Sequence, residues 1–173
     1  SNNIWGNIML DHTFVKFSPQ TIPYPAPDCT IDCPALPEAE VLLRAGLASK
    51  RGCSQSPIRL YDRIPFEIRR RIECETGEKV SADPENYVVC VEKDGIGLYS
   101  ISRRGLFHAV QTLLRLWEED SLHPALIYDC PTLPLRCLKV LLPPPTGEGL
   151  NDFRLLARVL ARWRFNAVMI ELG

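Results

Sequence analysis

The side chains able to do chemistry in this sequence are few and scattered. Its three histidines, His12, His108 and His123, stand far apart, and none lies at metal-ligand spacing from a cysteine. Cys29 and Cys33 have the spacing of two ligands, but a structural zinc site needs about four and no second pair is visible, so no metal and no cofactor is expected. Gly147 and Gly149 lack the Lys-Ser/Thr or third glycine of a phosphate-cradling loop, and no serine sits in a nucleophile elbow. No catalytic residue is assigned on these grounds. What remains is a carboxylate and a guanidinium. Glu171 closes an apolar segment, Ala167 to Leu172, at the end where β/α barrels carry functional groups, which makes it a candidate ligand contact. Arg136 follows a proline-rich passage and could pair with a carboxylate across a domain junction, Asp129 being one such group. Glu148 reads as a solvated loop acid, and His108 as a residue packed on the flank of a helix.

These residues must be held by regular elements, and the apolar periodicity suggests which. Pro37 to Ser49 reads as a helix, with Val41, Leu42, Ala45 and Ala48 at helical spacing and Glu38 and Glu40 at its positive end. From Phe66 the period changes: Phe66, Ile68 and Ile72 alternate with Glu67, Arg69, Arg71 and Glu73, as on a strand with one wet face. That alternation sends Arg70 away from Arg69 and Arg71, so the three arginines make a solvated strand face rather than a basic patch. Tyr87 to Glu92 and Ile96 to Ile101 flank Asp94-Gly95, a hairpin signal in which both turn positions want positive φ. The region Phe66 to Ile101 is therefore expected to be an antiparallel sheet. Ser102 caps a helix whose stripe is Leu106, Val110, Leu113, Leu114 and Trp117, and Ala125 to Tyr128 adds a short strand.

Two proline-rich passages punctuate the chain. Pro19 to Pro37 reads as an extended connection, and Cys130 to Pro134 as a linker, which places one α+β domain over 1–130 and a second segment over 131–173. Beyond the linker comes strand Cys137 to Leu142, helix Asn151 to Arg164 with Phe153, Leu156, Ala157 and Leu160 inward, and strand Ala167 to Leu172. That order is one β-α-β unit of a parallel sheet or barrel.

Composition excludes several classes. With 46% apolar and 24% charged residues, the 173-residue chain can bury a core. A formal charge of −1 from 20 basic and 21 acidic residues provides no field for nucleic acid or an acidic membrane. No apolar run approaches the ~20 residues that cross a bilayer, and Ser1 to Ile4 lacks the pattern of a signal peptide, so a cytoplasmic location is expected. Seven cysteines, an odd number, with Cys90, Cys130 and Cys137 in apolar contexts, read as buried free thiols.

Four fragments carry a family resemblance: Glu85-Asn86-Tyr87-Val88-Val89; Asp94-Gly95-Ile96; Arg104-Gly105-Leu106-Phe107-His108-Ala109-Val110-Gln111-Thr112-Leu113-Leu114-Arg115-Leu116; and Tyr128-Asp129-Cys130-Pro131-Thr132-Leu133-Pro134-Leu135-Arg136. In order and spacing they resemble the N-terminal domain and first barrel strand of family 20 glycoside hydrolases, the β-N-acetylhexosaminidases. The resemblance implies an antiparallel sheet with two helices on one face, followed by the first β-α-β of a truncated (β/α)8 barrel. It implies that the full-length protein hydrolyses terminal N-acetylhexosamine with an Asp-Glu pair beyond this chain, so the chain alone is silent. It also implies that Arg136 holds hydroxyls of the carbohydrate substrate. Cys137 stands where the family has glycine, and Leu141, Leu142 and three prolines stand where it has D-x-x-R-H. A non-catalytic carbohydrate-binding or structural role is the alternative. Strands of an unfinished barrel would expose apolar edges, so self-association through the last 40 or so residues is expected.

Overall fold

The computed structural model describes residues 13–171, so His12, the leading Ser1 to Ile4 and the Leu172 end of the last expected strand lie outside the described residues. The chain divides into two compact units, with the division between Pro131 and Thr132. In the first, strands β1 (Phe14–Phe17), β2 (Ile31–Asp32), β3 (Ile58–Tyr61), β4 (Tyr87–Glu92), β5 (Gly95–Tyr99) and β6 (Ala125–Asp129) form one six-stranded sheet in the order β1-β6-β4-β5-β3-β2. The pairs β1/β6, β6/β4 and β4/β5 are antiparallel, whereas β5/β3 and β3/β2 are parallel. The sheet is thus mixed, not antiparallel throughout. Parallel pairing enters at β2/β3, which are joined by a helical crossover through residues 39–48, and at β3/β5, because the β4–β5 hairpin inserts β5 between β3 and β4.

The helix between β3 and β4, α2 (Phe66–Thr76), overturns the strand expected from Phe66 to Ile72. Ile68 and Ile72 fit an alternating pattern, but they also lie four residues apart, one helical turn. Pro65 at the N-cap (φ −58°, ψ 152°) enters the helix without an N–H to leave unpaired, and Gly77 ends it in the left-handed region (φ 73°), its N–H donating to Glu73 O. Phe66, which suggested the alternating face, is 68% exposed, while Ile72 is fully buried against Val80, Val88, Cys90, Leu126 and Tyr128. Arg71 therefore projects from a helix and pairs with Glu92 of β4 at 2.9 Å.

Helices α1 (Ala39–Ala48) and α3 (Arg103–Leu116) cover the opposite face, so the two helices expected on one face are there and a third, α2, lies behind. Leu43 and Leu47 of α1 and Leu106, Ala109, Val110, Leu113 and Leu116 of α3 close over Ile58, Leu60, Val89, Val91, Ile96, Leu98 and Ile127. Ser102 caps α3 as expected, its Oγ accepting from Gly105 N at 3.0 Å. The helix is buried more deeply than a single stripe suggests. His108 is 3% exposed, with its ring 6.4 Å from that of Tyr87, so it is a core residue and not a flank residue. Thr112 Oγ1 shares a 2.8 Å hydrogen bond with Tyr87 Oη.

The β4–β5 hairpin forms where expected, but not with the expected turn. Glu92 pairs with Gly95 across Lys93 and Asp94, and neither Asp94 nor Gly95 has positive φ. Gly95 instead answers a close approach: a Cβ there would lie 3.3 Å from Pro57 O, which accepts from Ile96 N at 2.9 Å.

The second unit is a parallel pair, β7 (Cys137–Leu141) and β8 (Ala167–Glu171), joined through α4 (Gly147–Arg162). The helix begins at Gly147, four residues before Asn151, because Thr146 caps it with Oγ1 accepting from Gly149 N at 3.1 Å. Leu160 is buried and Phe153 and Leu156 are half-buried, whereas Ala157 is exposed. All seven cysteines are free; Cys29, Cys33 and Cys90 are buried, and Cys130 and Cys137 half-buried.

Gly105 is where α3 meets the sheet most tightly: a Cβ there would collide with the Asn86 carbonyl oxygen and Ser100 Oγ. Gly105→Ala is expected to cost about 1–3 kcal/mol through overpacking and to lower Tm by several degrees in a thermal melt. A Tm equal to that of the parent would show that the Asn86–Ser100 corner yields freely.

Candidate functional site

Both residues singled out for ligand contact lie in the second unit, and its two-stranded register fixes their placement. Arg136 immediately precedes β7, at the N-terminal ends of the parallel strands, and Glu171 is the last residue of β8, at their C-terminal ends. Cys137 pairs with Ala167 and Leu141 with Glu171, so five residues of rise separate the two ends, roughly 16 Å at ~3.3 Å per residue. The structure does not bring Arg136 and Glu171 together.

Arg136 is held on every side by its own unit. Its backbone N–H donates to Asn166 Oδ1 at 2.9 Å, and its carbonyl accepts from Asn166 N at 3.0 Å and Ala167 N at 3.3 Å. Its guanidinium donates from Nε to Arg164 O at 2.7 Å and from Nη1 to Leu133 O at 2.6 Å. Asn166 Nδ2 donates in turn to Pro134 O at 2.8 Å. This planar fork bridges the linker and the α4–β8 turn, where Arg164 has a left-handed backbone (φ 60°). Its chemistry here is to satisfy carbonyls that helix and strand leave without donors. Asp129, in the first unit, is buried and accepts from Thr13 N at 3.2 Å.

Glu171 sits in a different setting. Its Oε2 lies 2.9 Å from Lys139 Nζ, with both side chains about half exposed, and its carbonyl accepts from Leu142 N at 2.9 Å. Lys139, Leu141, Met169 and Glu171 share one face of the pair, since side chains alternate along each strand. A wet ammonium–carboxylate pair contributes little to stability, about 0–1 kcal/mol, yet it presents a donor and an acceptor together to hydroxyls of a polar ligand. Lys139 is the one charge in the otherwise apolar run Leu138 to Leu142, the signal that could have singled it out. Asn166 and the carbonyl partners of Arg136 left no comparable signal, because any residue carries a carbonyl. Glu148 is exposed in the first turn of α4, as a solvated acid should be.

Cys29 and Cys33 are poor metal ligands as placed. Burial pushes both thiols up, Arg44 opposing it at Cys29 and Glu40 adding to it at Cys33, so neither readily becomes the thiolate that binds metal. Among the described residues no group of three or more His, Cys, Asp or Glu could hold a metal ion, and no helix is long and apolar enough to cross a membrane.

Residues 15–130 match the family model described as glycosyl hydrolase family 20, domain 2. Among solved structures, the chain is similar to the GH20 exo-β-N-acetylglucosaminidase from Vibrio harveyi, solved with N-acetylglucosamine, at 17% identity and TM-score 0.68, covering 92% of this chain and 24% of that one. It is similar to the Streptomyces plicatus N-acetyl-β-hexosaminidase at 18% identity and TM-score 0.61, covering 90% and 32%. A third likeness is the β-N-acetylhexosaminidase from Bacteroides fragilis, at 13% identity and TM-score 0.62, covering 92% and 32%. At these identities the likeness is one of fold, and the chain spans between about a quarter and a third of the length of these structures. No curated protein matches the sequence.

Arg136→Met keeps the length of the stem and removes both guanidinium bonds. Hydrogen exchange at the amides of Asn166 and Ala167, which donate to Arg136 O, is expected to accelerate about tenfold or more, since charged hydrogen bonds contribute roughly 1.5–3 kcal/mol. Arg136→Lys is expected to restore only part of the protection, a point charge being unable to span two carbonyls. Exchange unchanged in Arg136→Met would show that the fork holds nothing in place.

Proposed function

The chain belongs to glycosyl hydrolase family 20, whose domain 2 it carries, and from that membership we propose that it opens a β-N-acetylhexosaminidase, the first unit preceding a catalytic (β/α)8 barrel that the second unit begins. The observation that supports this most strongly is the order of the two units: the family match ends at residue 130, and a parallel β-α-β unit follows at once. A parallel pair is stable only when both its faces are covered. Here Leu141, Met169 and Ile170 are 69%, 57% and 45% exposed, which fits strands awaiting further strands and helices.

In this reading, hydrolysis of a terminal N-acetylhexosamine proceeds by attack of the substrate's own acetamido oxygen on the anomeric carbon, an exception to the two-carboxylate scheme. An acid must protonate the leaving oxygen and a second carboxylate must orient the acetamide. Glu171 lies at the C-terminal end of β8, the end where barrels bind ligands, and with Lys139, which reaches it from the middle of β7, contributes polar contacts to the sugar. Arg136, at the opposite ends, ties the linker to the α4–β8 turn. In this reading the acid and the orienting carboxylate both belong to later strands of the barrel, and the 173-residue chain is silent on its own.

The 173-residue chain is expected to show no turnover of a chromogenic N-acetyl-β-glucosaminide, whereas the protein extended through the rest of the barrel cleaves it. Turnover that copurifies with the short chain and vanishes in Glu171→Gln would overturn the silence. An extended protein inert toward every N-acetylhexosaminide would overturn the activity.

We further propose that the chain alone self-associates through its second unit. Leu155 and Val159 of α4 are 61% and 45% exposed, in addition to the strand residues above. Covering on the order of 400 Å² of apolar surface contributes about 10 kcal/mol at ~25 cal/mol per Å², comparable with the roughly 4–15 kcal/mol that association costs in lost freedom. Sedimentation velocity should therefore show concentration-dependent dimers for the full chain and monomers for a version ending at Asp129; equal, monomeric behaviour of both refutes the idea.

A further inference from the structure

Strand β5 lies between β3 and β4, and its two faces differ sharply. Ile96 and Leu98 point into the core beneath α1 and α3. On the other face stand Gly95, Gly97 and Tyr99, so two successive positions carry no side chain. The registers set their neighbours: Gly97 pairs with Arg59 on one side and Cys90 on the other, Gly95 pairs with Glu92, and Tyr99 pairs with Tyr61. The result is a trough one side chain deep, open to solvent, with a volume of about 160 Å³. Its floor is the backbone of β5 with the Tyr99 hydroxyl laid over Gly97, Arg59 forms one wall, Glu92 the other, and Asp94 stands at the hairpin end.

Backbone conformation does not demand these glycines, because neither has positive φ. They serve close approach. A Cβ on Gly97 would collide with the Tyr99 hydroxyl, which lies down over Gly97 and so forms part of the trough floor. The Tyr99 ring stacks on Tyr61 with centroids 5.0 Å apart and planes 8° from parallel. Burial first, then the neighbouring Cys90, Tyr61 and Glu92, pushes the Tyr99 hydroxyl up to about 12, so it is a neutral donor throughout the physiological range. Helix α2 leaves this end of the sheet uncovered and sends only Arg71 to the rim, where it meets Glu92 at 2.9 Å.

We propose that this trough binds a neutral pyranose, the terminal residue of a glycan, on the sheet face of the first unit. Size and charge both select that ligand. The volume is below the ~300 Å³ at which sites for drug-sized molecules begin and suits a single ring. Arg59 and Arg71 are balanced by Glu92 and Asp94, so neither an anion nor a cation gains from entering. A pair of adjacent hydroxyls gains, because it donates to the Glu92 carboxylate and accepts from the Arg59 guanidinium, both as charge-assisted bonds. The C–H face of the ring then rests on the tyrosine edge and the floor of the trough. The site is argued from the trough's own geometry and does not depend on the activity proposed above.

The test is a ¹⁵N NMR titration of the 173-residue chain with N-acetylglucosamine, methyl β-glucoside and, as a charged comparison, glucuronate. A site of this size should bind the neutral sugars with Kd about millimolar, seen as saturable shifts at the amides of Gly95, Gly97 and Tyr99. Arg59→Ala and Glu92→Gln, both at exposed positions, are each expected to weaken binding about tenfold with the rest of the spectrum unchanged. Absence of saturable shifts at these amides, tighter binding of glucuronate than of the neutral sugars, or full affinity in both variants would overturn the proposal.

Discussion

Strand β4 is covered on both faces, with Tyr87 to Val91 no more than 4% exposed, and the first unit is arranged around meeting that demand. Alternation sends Tyr87, Val89 and Val91 to one side and Val88 and Cys90 to the other, so each side needs its own apolar cover. Helices α1 and α3 supply the first and α2 the second. The neighbouring strands follow: β4 must be interior, with β5 and β6 hydrogen-bonded to its two edges. Close packing then dictates details such as Gly105, where α3 has no room for a methyl group above Asn86 and Ser100. A buried strand also forces its polar atoms to be paired, which the Tyr87–Thr112 hydrogen bond does inside the core.

What the sequence revealed and what it hid follow from that double cover. The stripe and serine cap of α3 are strong local signals that the structure bears out, whereas α1 forms as a helix but turns Val41, Leu42, Ala45 and Ala48 outward and buries Ala39, Leu43 and Leu47 instead. The hairpin was legible from its flanking strands, although its turn is made by Lys93 and Asp94 rather than by Asp94 and Gly95. Helix α2 was misread because Ile68 and Ile72 satisfy both periods, and exposed Phe66 tipped the reading toward the wrong one. Pro65 and Gly77, at either end of an eleven-residue run rich in Glu and Arg, were the better signal. Strands β1, β2 and β3, of four, two and four residues, are too short to show a period at all. At the candidate site, the positions of Arg136 and Glu171 were legible while the roles of their partners were not. Two of Arg136's acceptors are main-chain carbonyls, which no residue type announces.

The trough on β5 shows how a strand can serve packing and recognition at once. Its residues alternate between a core face that demands Ile96 and Leu98 and an outer face on which Tyr99 packs against the cluster under α2 while the hairpin end stays open. Where no helix covers a sheet face, ordinary practice is to fill it with large polar side chains. Here Gly95 adds no side chain and Gly97 makes room for the Tyr99 hydroxyl, while Arg59 and Glu92 on the flanking strands remain charged and exposed. The loss of backbone entropy that glycine brings to a strand, roughly 0.5–1 kcal/mol at each position relative to alanine, is tolerable because β5 is hydrogen-bonded on both sides. The Tyr61–Tyr99 stack, at the far end from the hairpin, keeps the recess from collapsing.

The second unit divides its work between its two ends. Parallel strands have all their N-terminal ends on one side, and there Arg136, Asn166 and the left-handed Arg164 close a set of hydrogen bonds among the linker, β7 and the α4–β8 turn. That network fixes where β8 begins relative to β7, and a slip of one residue would turn every side chain of β8 to the other face. At the C-terminal end of β8 stands Glu171, half exposed and paired with Lys139, which reaches it from the middle of β7. In β/α barrels the N-terminal face serves stability and the C-terminal face serves ligands. On the proposed reading of this unit as the opening of a barrel, that division sets Arg136, with its bonds to the linker and the α4–β8 turn, at the end that serves stability and Glu171 at the end that faces ligands.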